Sequence, residues 1–384
     1  MKKILALTLA LVMALGLAAC APKGATSGTD VPPAETPDET AELKIAIVTS
    51  PSGVDDGSFN QDNYEGIKNF IKNHPNATVK AVQEPDITKA ASAVAEIVAD
   101  YDVIVTPGFQ FGPITTIAQE NPSKKFILVD SFPTDPADDK ETIVVDNIYA
   151  MQFAEQESGF FAGVAAAMET KTGKVAVVNG QAFPSNVNYQ YGFEAGVAYA
   201  NAKFGTKAEC VELASYAGID VTNAKIGGNY IGGFSDPETG KVVGKALIAE
   251  GVDIMFVAAG NSGNGVFTAA KEAKDVKVIG CDVDQYDDGV SGDRNIVLTS
   301  ALKNMSINVE RQLNAIADGT FKGGNYLLKA DTDSTGFVFT EGRHQLSENT
   351  IKALNEVYEL VKNGTIVPPS NFSEETVENF PGLA

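Results

Sequence analysis

Histidine occurs twice and cysteine three times in 384 residues, and each scarcity removes a class of chemistry. His74 precedes a proline at a helix end and His344 sits in a polar stretch, so no histidine cluster exists to bind zinc. Apart from Cys20 only Cys210 and Cys281 remain, which excludes a fold held by a disulfide framework. Cys281 falls inside the apolar run Val278-Ile279-Gly280-Cys281, where a buried, inert thiol is expected. Basic residues are outnumbered 29 to 50, for a net charge of −21. So acidic a surface repels phosphate backbones, so nucleic-acid binding is not expected, and an anionic ligand is disfavoured. After Cys20 no apolar run approaches the length of a membrane span. No serine occupies a Gly-x-Ser-x-Gly elbow, and the stretch 261–265 lacks the Lys-Ser/Thr ending of a phosphate loop. Asp282, Asp284, Asp287 and Asp288 suggest calcium, but Tyr286 breaks the alternating-ligand spacing and Gly289 is misplaced. Asp55 and Asp56 are adjacent, whereas glycoside hydrolysis needs opposed carboxyls about 5–10 Å apart. No catalytic residue, metal or cofactor is expected.

What is present begins with Lys2 and Lys3, followed by an apolar run from Ile4 to Ala19. That is a charged n-region and an h-region too short to span a bilayer comfortably. Leu17-Ala18-Ala19-Cys20 resembles a bacterial lipobox, so residues 1–20 are read as a lipoprotein signal peptide and Cys20 as the lipidated residue left after cleavage. Residues 21–42 are Ala, Pro, Thr, Ser, Gly, Asp and Glu apart from Lys23 and Val31, with almost nothing to pack, and are read as a flexible tether. Lipid, tether and folded domain in that order place the domain on the outer side of the cytoplasmic membrane, extracellular or periplasmic.

About 340 residues remain, enough for two domains with separate cores. Short continuous apolar runs predict strands at Leu43–Thr49, Thr78–Gln83, Tyr101–Thr106, Lys125–Asp130, Lys174–Asn179, Val252–Ala258, Val276–Asp282 and Ile296–Ser300. Continuous runs, in place of alternating ones, fit parallel strands buried on both faces. Between them Ile87, Ala90, Ala91, Val94, Ile97 and Val98 form one helical stripe, and Asn186–Ala202 and Gly240–Glu250 read likewise. Alternating strands and helices with right-handed crossovers predict an α/β fold of two doubly wound parallel-sheet lobes. The expected division is 43–150 plus about 285–321 for the first lobe and 151–284 plus about 322–384 for the second, in a chain acting as a monomer.

In open parallel sheets ligands sit beyond the carboxyl ends of the strands. Those ends here carry Asp55-Asp56, Gly108-Phe109-Gln110-Phe111, Asp130-Ser131-Phe132, Gly180-Gln181-Ala182-Phe183, Gly260-Asn261-Ser262 and Asp282-Val283-Asp284. Glycine lets a ligand approach the backbone, carboxylates accept from hydroxyls or amines, and phenylalanine offers a flat face. Any single one of these is also compatible with a turn or a helix cap.

Five motifs carry a wider resemblance. They are Asp55-Asp56-Gly57-Ser58-Phe59-Asn60-Gln61 with Tyr64-Glu65-Gly66, then Glu157-Ser158-Gly159-Phe160-Phe161-Ala162-Gly163, and Ala258-Ala259-Gly260-Asn261-Ser262-Gly263-Asn264-Gly265. Val278-Ile279-Gly280-Cys281-Asp282-Val283-Asp284-Gln285 and Leu298-Thr299-Ser300-Ala301-Leu302-Lys303 complete the set. In that order the chain resembles the basic membrane protein family of substrate-binding lipoproteins from about residue 43 to its C-terminus. The resemblance implies a type I periplasmic-binding-protein fold: two lobes, three crossovers and a ligand in the cleft. Characterised members bind purine nucleosides and feed ABC importers, so an ABC permease is the implied partner.

Carried over by motif, Asp56, Asn60 and Asp130 would meet the base edge, while Phe59 and Phe234 would clamp its faces with Phe109 close by. Gly260, Asp282 and Lys303 would hold the ribose. The sequence departs from the family at Gly232-Gly233-Phe234, where many relatives have Gly-Ser-Phe, and at Gly57 and Tyr64, more often Lys and Trp. The stretch Phe183-Pro184-Ser185-Asn186-Val187-Asn188 is the least familiar. Acids beside aromatics also suit a sugar or other small polyol, and a nucleoside-degrading enzyme is the third reading.

Overall fold

The apolar runs become the centres of two sheets. The computed structural model describes residues 43–371 and 373–384, so the leader, Cys20 and the tether lie outside the described residues. In the first lobe six parallel strands are ordered Gly324–Leu328, Ile148–Phe153, Lys125–Val129, Val103–Pro107, Lys44–Thr49 and Thr78–Gln83. In the second the order is Thr335–Phe337, Val297–Lys303, Lys277–Asp282, Ile254–Ala258, Lys174–Asn179 and Glu209–Cys210, parallel except for the first, an antiparallel edge. Central strands such as Val103–Pro107 and Ile254–Ala258 are buried at every residue, as sheets covered on both faces require. Each sheet has one apolar cluster on either side, so both lobes are doubly wound.

The lobe boundaries differ from the division expected at 285–321. Val297–Lys303 pairs in parallel with Lys277–Asp282, so it belongs to the second sheet and the chain crosses only after Lys303. Helix Met305–Ala317 then packs on helix Phe59–Asn73, and Gly324–Leu328 pairs with Ile148–Phe153, returning 305–328 to the first lobe. The remaining crossovers follow Phe153 and Leu328. Pairing partners in space decide this, and a local run of residues does not contain them.

Two helical expectations are also corrected. The stripe from Ile87 is broken into a 3₁₀ turn, helix Ala90–Ile97 and a second 3₁₀ turn, and it buries Ala90, Ala93, Val94 and Val98 while Ile87, Ala91 and Ile97 sit at its margin. Helix Pro184–Phe204 is buried around most of its circumference, not along one stripe. Its close neighbour is helix Glu155–Glu169, and four glycines bring the two together. A Cβ on Gly163 would lie 2.0 Å from the Phe193 carbonyl oxygen, and one on Gly196 would lie 2.2 Å from that of Phe160. Gly159 and Gly192 face backbone across the same crossing. The second sequence motif therefore holds two helices at backbone contact. Gly265, in the third motif, does the same against Pro237.

Among the described residues no helix is long and apolar enough to cross a membrane.

Candidate functional site

The strand ends of both lobes converge on one cavity of about 160 Å³. At roughly 10–15 Å³ per water, that is room for a small molecule and not for a few trapped waters. Asp56, Phe59, Asn60, Phe109 and Asp130 reach it from the first lobe, and Phe234, Gly260, Asp282 and Lys303 from the second. All nine residues singled out in the sequence line this one space.

Three of them sit on backbone that L-residues rarely adopt. Asp130 and Asp282, at equivalent strand ends in the two sheets, have φ of 62° and 68°, and Gly260 has φ of 50°. Non-glycine residues held at positive φ cluster at ligand clamps because the surrounding fold over-determines them. The turn aims both carboxyls across the strand ends into the cleft.

Charge is concentrated around Lys303, which is fully buried. Its Nζ donates to Asp130 at 2.5 Å and to Glu155 at 3.1 Å, and lies 5.0 Å from the centre of the Phe59 ring. Burial alone would push this ammonium down, but the carboxylates of Asp130, Glu155 and Asp282 override it and hold it above the ordinary lysine range. Asp130 is pushed up to about 7, by burial first and then by Glu155 and Asp282, against the pull of Lys303. Asp282 accepts from the Ser58 hydroxyl at 2.8 Å, across the cleft, and from the Tyr189 hydroxyl at 2.9 Å. One cation thus serves several acids, and the surplus acceptors call for donors.

Two of those acceptors stand out. Asn60 Oδ1 and Asp130 Oδ1 are buried in this cavity's wall with no hydrogen-bond partner. Asn60 is fixed from behind, its Nδ2 donating to Ser50 Oγ at 3.0 Å. A buried acceptor left unpaired costs about 1–3 kcal/mol, which a bound donor would recover. Asp56 is differently placed. Its carboxylate accepts the backbone N–H groups of Ser58, Asn60 and Gln61 at 3.0–3.1 Å, starting helix Phe59–Asn73 and fixing the two residues beside it. That occupies three of about four acceptor positions and leaves one for a ligand. Burial raises its pKa against those three bonds.

The aromatic wall also holds a ring that the strand ends offer and the carried-over pocket leaves out. Phe183 lies 5.7 Å from Phe109 of the opposite lobe and 6.0 Å from Phe234. Glu155 and Tyr189 were not foreseen, since both stand on helices where no local pattern marks them. The remaining candidates resolve as structural residues. His74 caps a helix and stacks on Phe70 at 4.0 Å, Asp284 and Asp287 pair with Arg343, and Asp55 is exposed. Burial pushes the Cys281 thiol well up, and it is buried as its strand position predicts. Among the described residues no three of His, Cys, Asp and Glu gather to hold a metal ion.

Two sheets, three crossovers and a cleft lined from both sides form an arrangement found in known proteins. The chain shares a TM-score of 0.72 and 22% identity with the crystal structure of ABC transporter system solute-binding proteins from Aeropyrum pernix, covering 86% of this chain and 94% of that one. That likeness carries the fold. In sequence it is 31% identical over 302 residues to an ABC transporter nucleoside-binding protein BmpA of Lactococcus lactis, covering 74% of this chain and 77% of the relative. It is 29% identical over 390 residues to a CD4+ T-cell-stimulating antigen of Listeria monocytogenes, covering 96% and 99%. It is 28% identical over 382 residues to basic membrane protein A of Borreliella burgdorferi, covering 97% of each. Residues 43–222 and 214–371 match Bmp, described as ABC transporter substrate-binding protein PnrA-like. With fold, cleft and sequence in agreement over nearly all of the described residues, the chain belongs to the Bmp family of ABC transporter substrate-binding proteins.

Proposed function

We propose that this chain is an extracytoplasmic receptor that captures a nucleoside, a purine nucleoside above all, between its lobes and delivers it to an ABC permease. The observation that carries the reading is one cavity lined by flat rings from both lobes, Phe59 and Phe109 from the first and Phe234 from the second, together with the unpartnered acceptors of Asn60 and Asp130. A nucleobase offers two π-faces and edge donors, and its ribose offers hydroxyls to Asp282 and Lys303. Stacking contributes about 1–3 kcal/mol per base, and a hydrogen bond to a charged group about 1.5–3 kcal/mol. After ordering costs, a dissociation constant near micromolar, about −8 kcal/mol, is within reach. The nucleoside-binding relative from Lactococcus supports the same ligand class.

Mass spectrometry of small molecules released from the denatured protein, with titration of a nucleoside and monosaccharide panel, tests the reading. Tight binding of a pyranose with no nucleoside response would replace it with a sugar receptor. Incubation with inosine or adenosine should yield no free base. Phe234→Leu, which keeps bulk and loses the flat face, should weaken nucleoside binding roughly ten- to a hundredfold, while Phe234→Tyr keeps most of it. If Phe234→Leu binds as tightly as wild type, the stacking role is lost.

Anchoring through Cys20 is part of the proposal. Two or more acyl chains hold a protein on a membrane, and an acidic domain gains no attraction from anionic lipid. Cys20→Ala should therefore move the protein from the membrane fraction to the soluble one with affinity unchanged. A membrane-bound Cys20→Ala protein would remove the lipid from the account.

A further inference from the structure

Gly180 follows strand Lys174–Asn179 and is buried beneath the cleft. It is not among the glycines at positive φ, so its backbone conformation is open to any L-residue. What forbids a side chain there is the ring of Phe234: a Cβ on Gly180 would meet its Cδ1 and Cε1 at 2.3 Å. The ring therefore rests on bare backbone. It is also hemmed by Phe183 at 6.0 Å and by Gly260, whose own Cβ would lie 3.5 Å from that of Phe234.

The backbone of residue 234 has little freedom to yield. Its carbonyl oxygen accepts from Ser262 N at 3.0 Å and from Ser52 Oγ, on the other lobe, at 3.1 Å. Gly180 is held as well, its N–H on Ala258 O at 3.1 Å and its carbonyl on Gly232 N at 2.8 Å. With both backbones pinned, a methyl group at 180 can be accommodated only by moving the ring, either inward across the cavity or outward to solvent. The first narrows the space for a flat ligand and the second removes one of its walls.

We infer that Gly180 is a positioning residue that sets how far the Phe234 ring stands into the cavity, and so makes the site selective for flat, stacking ligands. This rests on the nucleoside reading of the same cavity. Gly180→Ala should fold, because a side chain and not the main chain gives way. It should weaken nucleoside binding roughly ten- to a hundredfold, the effect of losing one stacked face.

The test is a double-mutant cycle read by titration with adenosine and guanosine, beside apo melting curves. In the Phe234→Leu background Gly180→Ala should cost no further affinity, since the ring it displaces is gone. Gly180→Ala that lowers the melting temperature but binds like wild type overturns the inference while leaving the nucleoside reading intact. So does an equal loss in both backgrounds. A wild type that binds neither nucleoside overturns the reading itself, and the assignment of Gly180 falls with it.

Discussion

Lys303→Met should destabilise the protein by about 3–5 kcal/mol at neutral pH, because it leaves buried carboxylates without their cation. Methionine keeps the aliphatic stem and close to the volume, so the loss reports charge and not a cavity. Asp130 and Glu155 both touch the Lys303 ammonium, and Asp282 stands close enough to raise it. The pH dependence follows from Asp130, whose folded pKa is raised from 3.8 to about 7. A carboxyl raised in the folded state stabilises fully below its unfolded pKa, and that contribution is lost as pH rises through the folded value. Without Lys303 the proton is held more tightly still, so the deficit should be small near pH 4 and grow towards and beyond pH 7. Urea titrations at both ends of that range measure it. Adding Glu155→Gln to Lys303→Met should restore part of the stability by removing one stranded acid. A variant as stable as wild type at pH 7.5 would show that the cluster is not held by its lysine. Equal loss at all pH would assign the effect to packing.

The same residue explains what a linear reading could and could not find. Lys303 came in through the family resemblance of its motif, whereas Asp130 and Asp282 also stand out as carboxylates at strand ends. Runs such as Lys174–Asn179 and Thr78–Gln83 were legible to the residue, and the two-lobed α/β class followed from their alternation with helices. Two other edge strands were not. Gly324–Leu328 is only partly buried and Thr335–Phe337 is three residues long, so neither gives a pattern above its surroundings. The crossover after Lys303 was misplaced for a related reason: Val297–Lys303 joins its sheet by pairing with Lys277–Asp282, and Gly324–Leu328 joins the other by pairing with Ile148–Phe153, partners that neither run contains. Glu155 and Tyr189 reach the site from helices, where a charged or phenolic side chain facing inward looks like any other. Gly159 and Gly163 belong to a motif that carries the family resemblance, and their place is a helix crossing. Asp56, carried over as a base-edge residue, also holds a helix start with three of its acceptor positions, a role the resemblance does not give.

Asp282→Ala should weaken binding of a ribonucleoside by about 1.5–3 kcal/mol or more, roughly ten- to a hundredfold, by removing a charged acceptor from buried hydroxyls. Two other effects accompany it. Alanine at φ of 68° carries strain of about 1–2 kcal/mol that aspartate and asparagine tolerate better. The cross-lobe bond from Ser58, at 2.8 Å, is also lost, so closure itself is weakened. Affinity alone would mix the three. The ligand separates them: a 2′- or 3′-deoxynucleoside lacks one hydroxyl, and the affinity ratio between it and its parent cancels whatever strain and closure cost both share. Wild type should discriminate against whichever deoxy analogue lacks the bonded hydroxyl, and Asp282→Ala should lose most of that discrimination. Asp282→Asn, which keeps the backbone and a neutral acceptor, should fall between. Ser58→Ala should lower both affinities while preserving the ratio. If Asp282→Ala discriminates as sharply as wild type, its carboxylate does not touch the ribose, and its part in the cleft is to hold Ser58 and Tyr189.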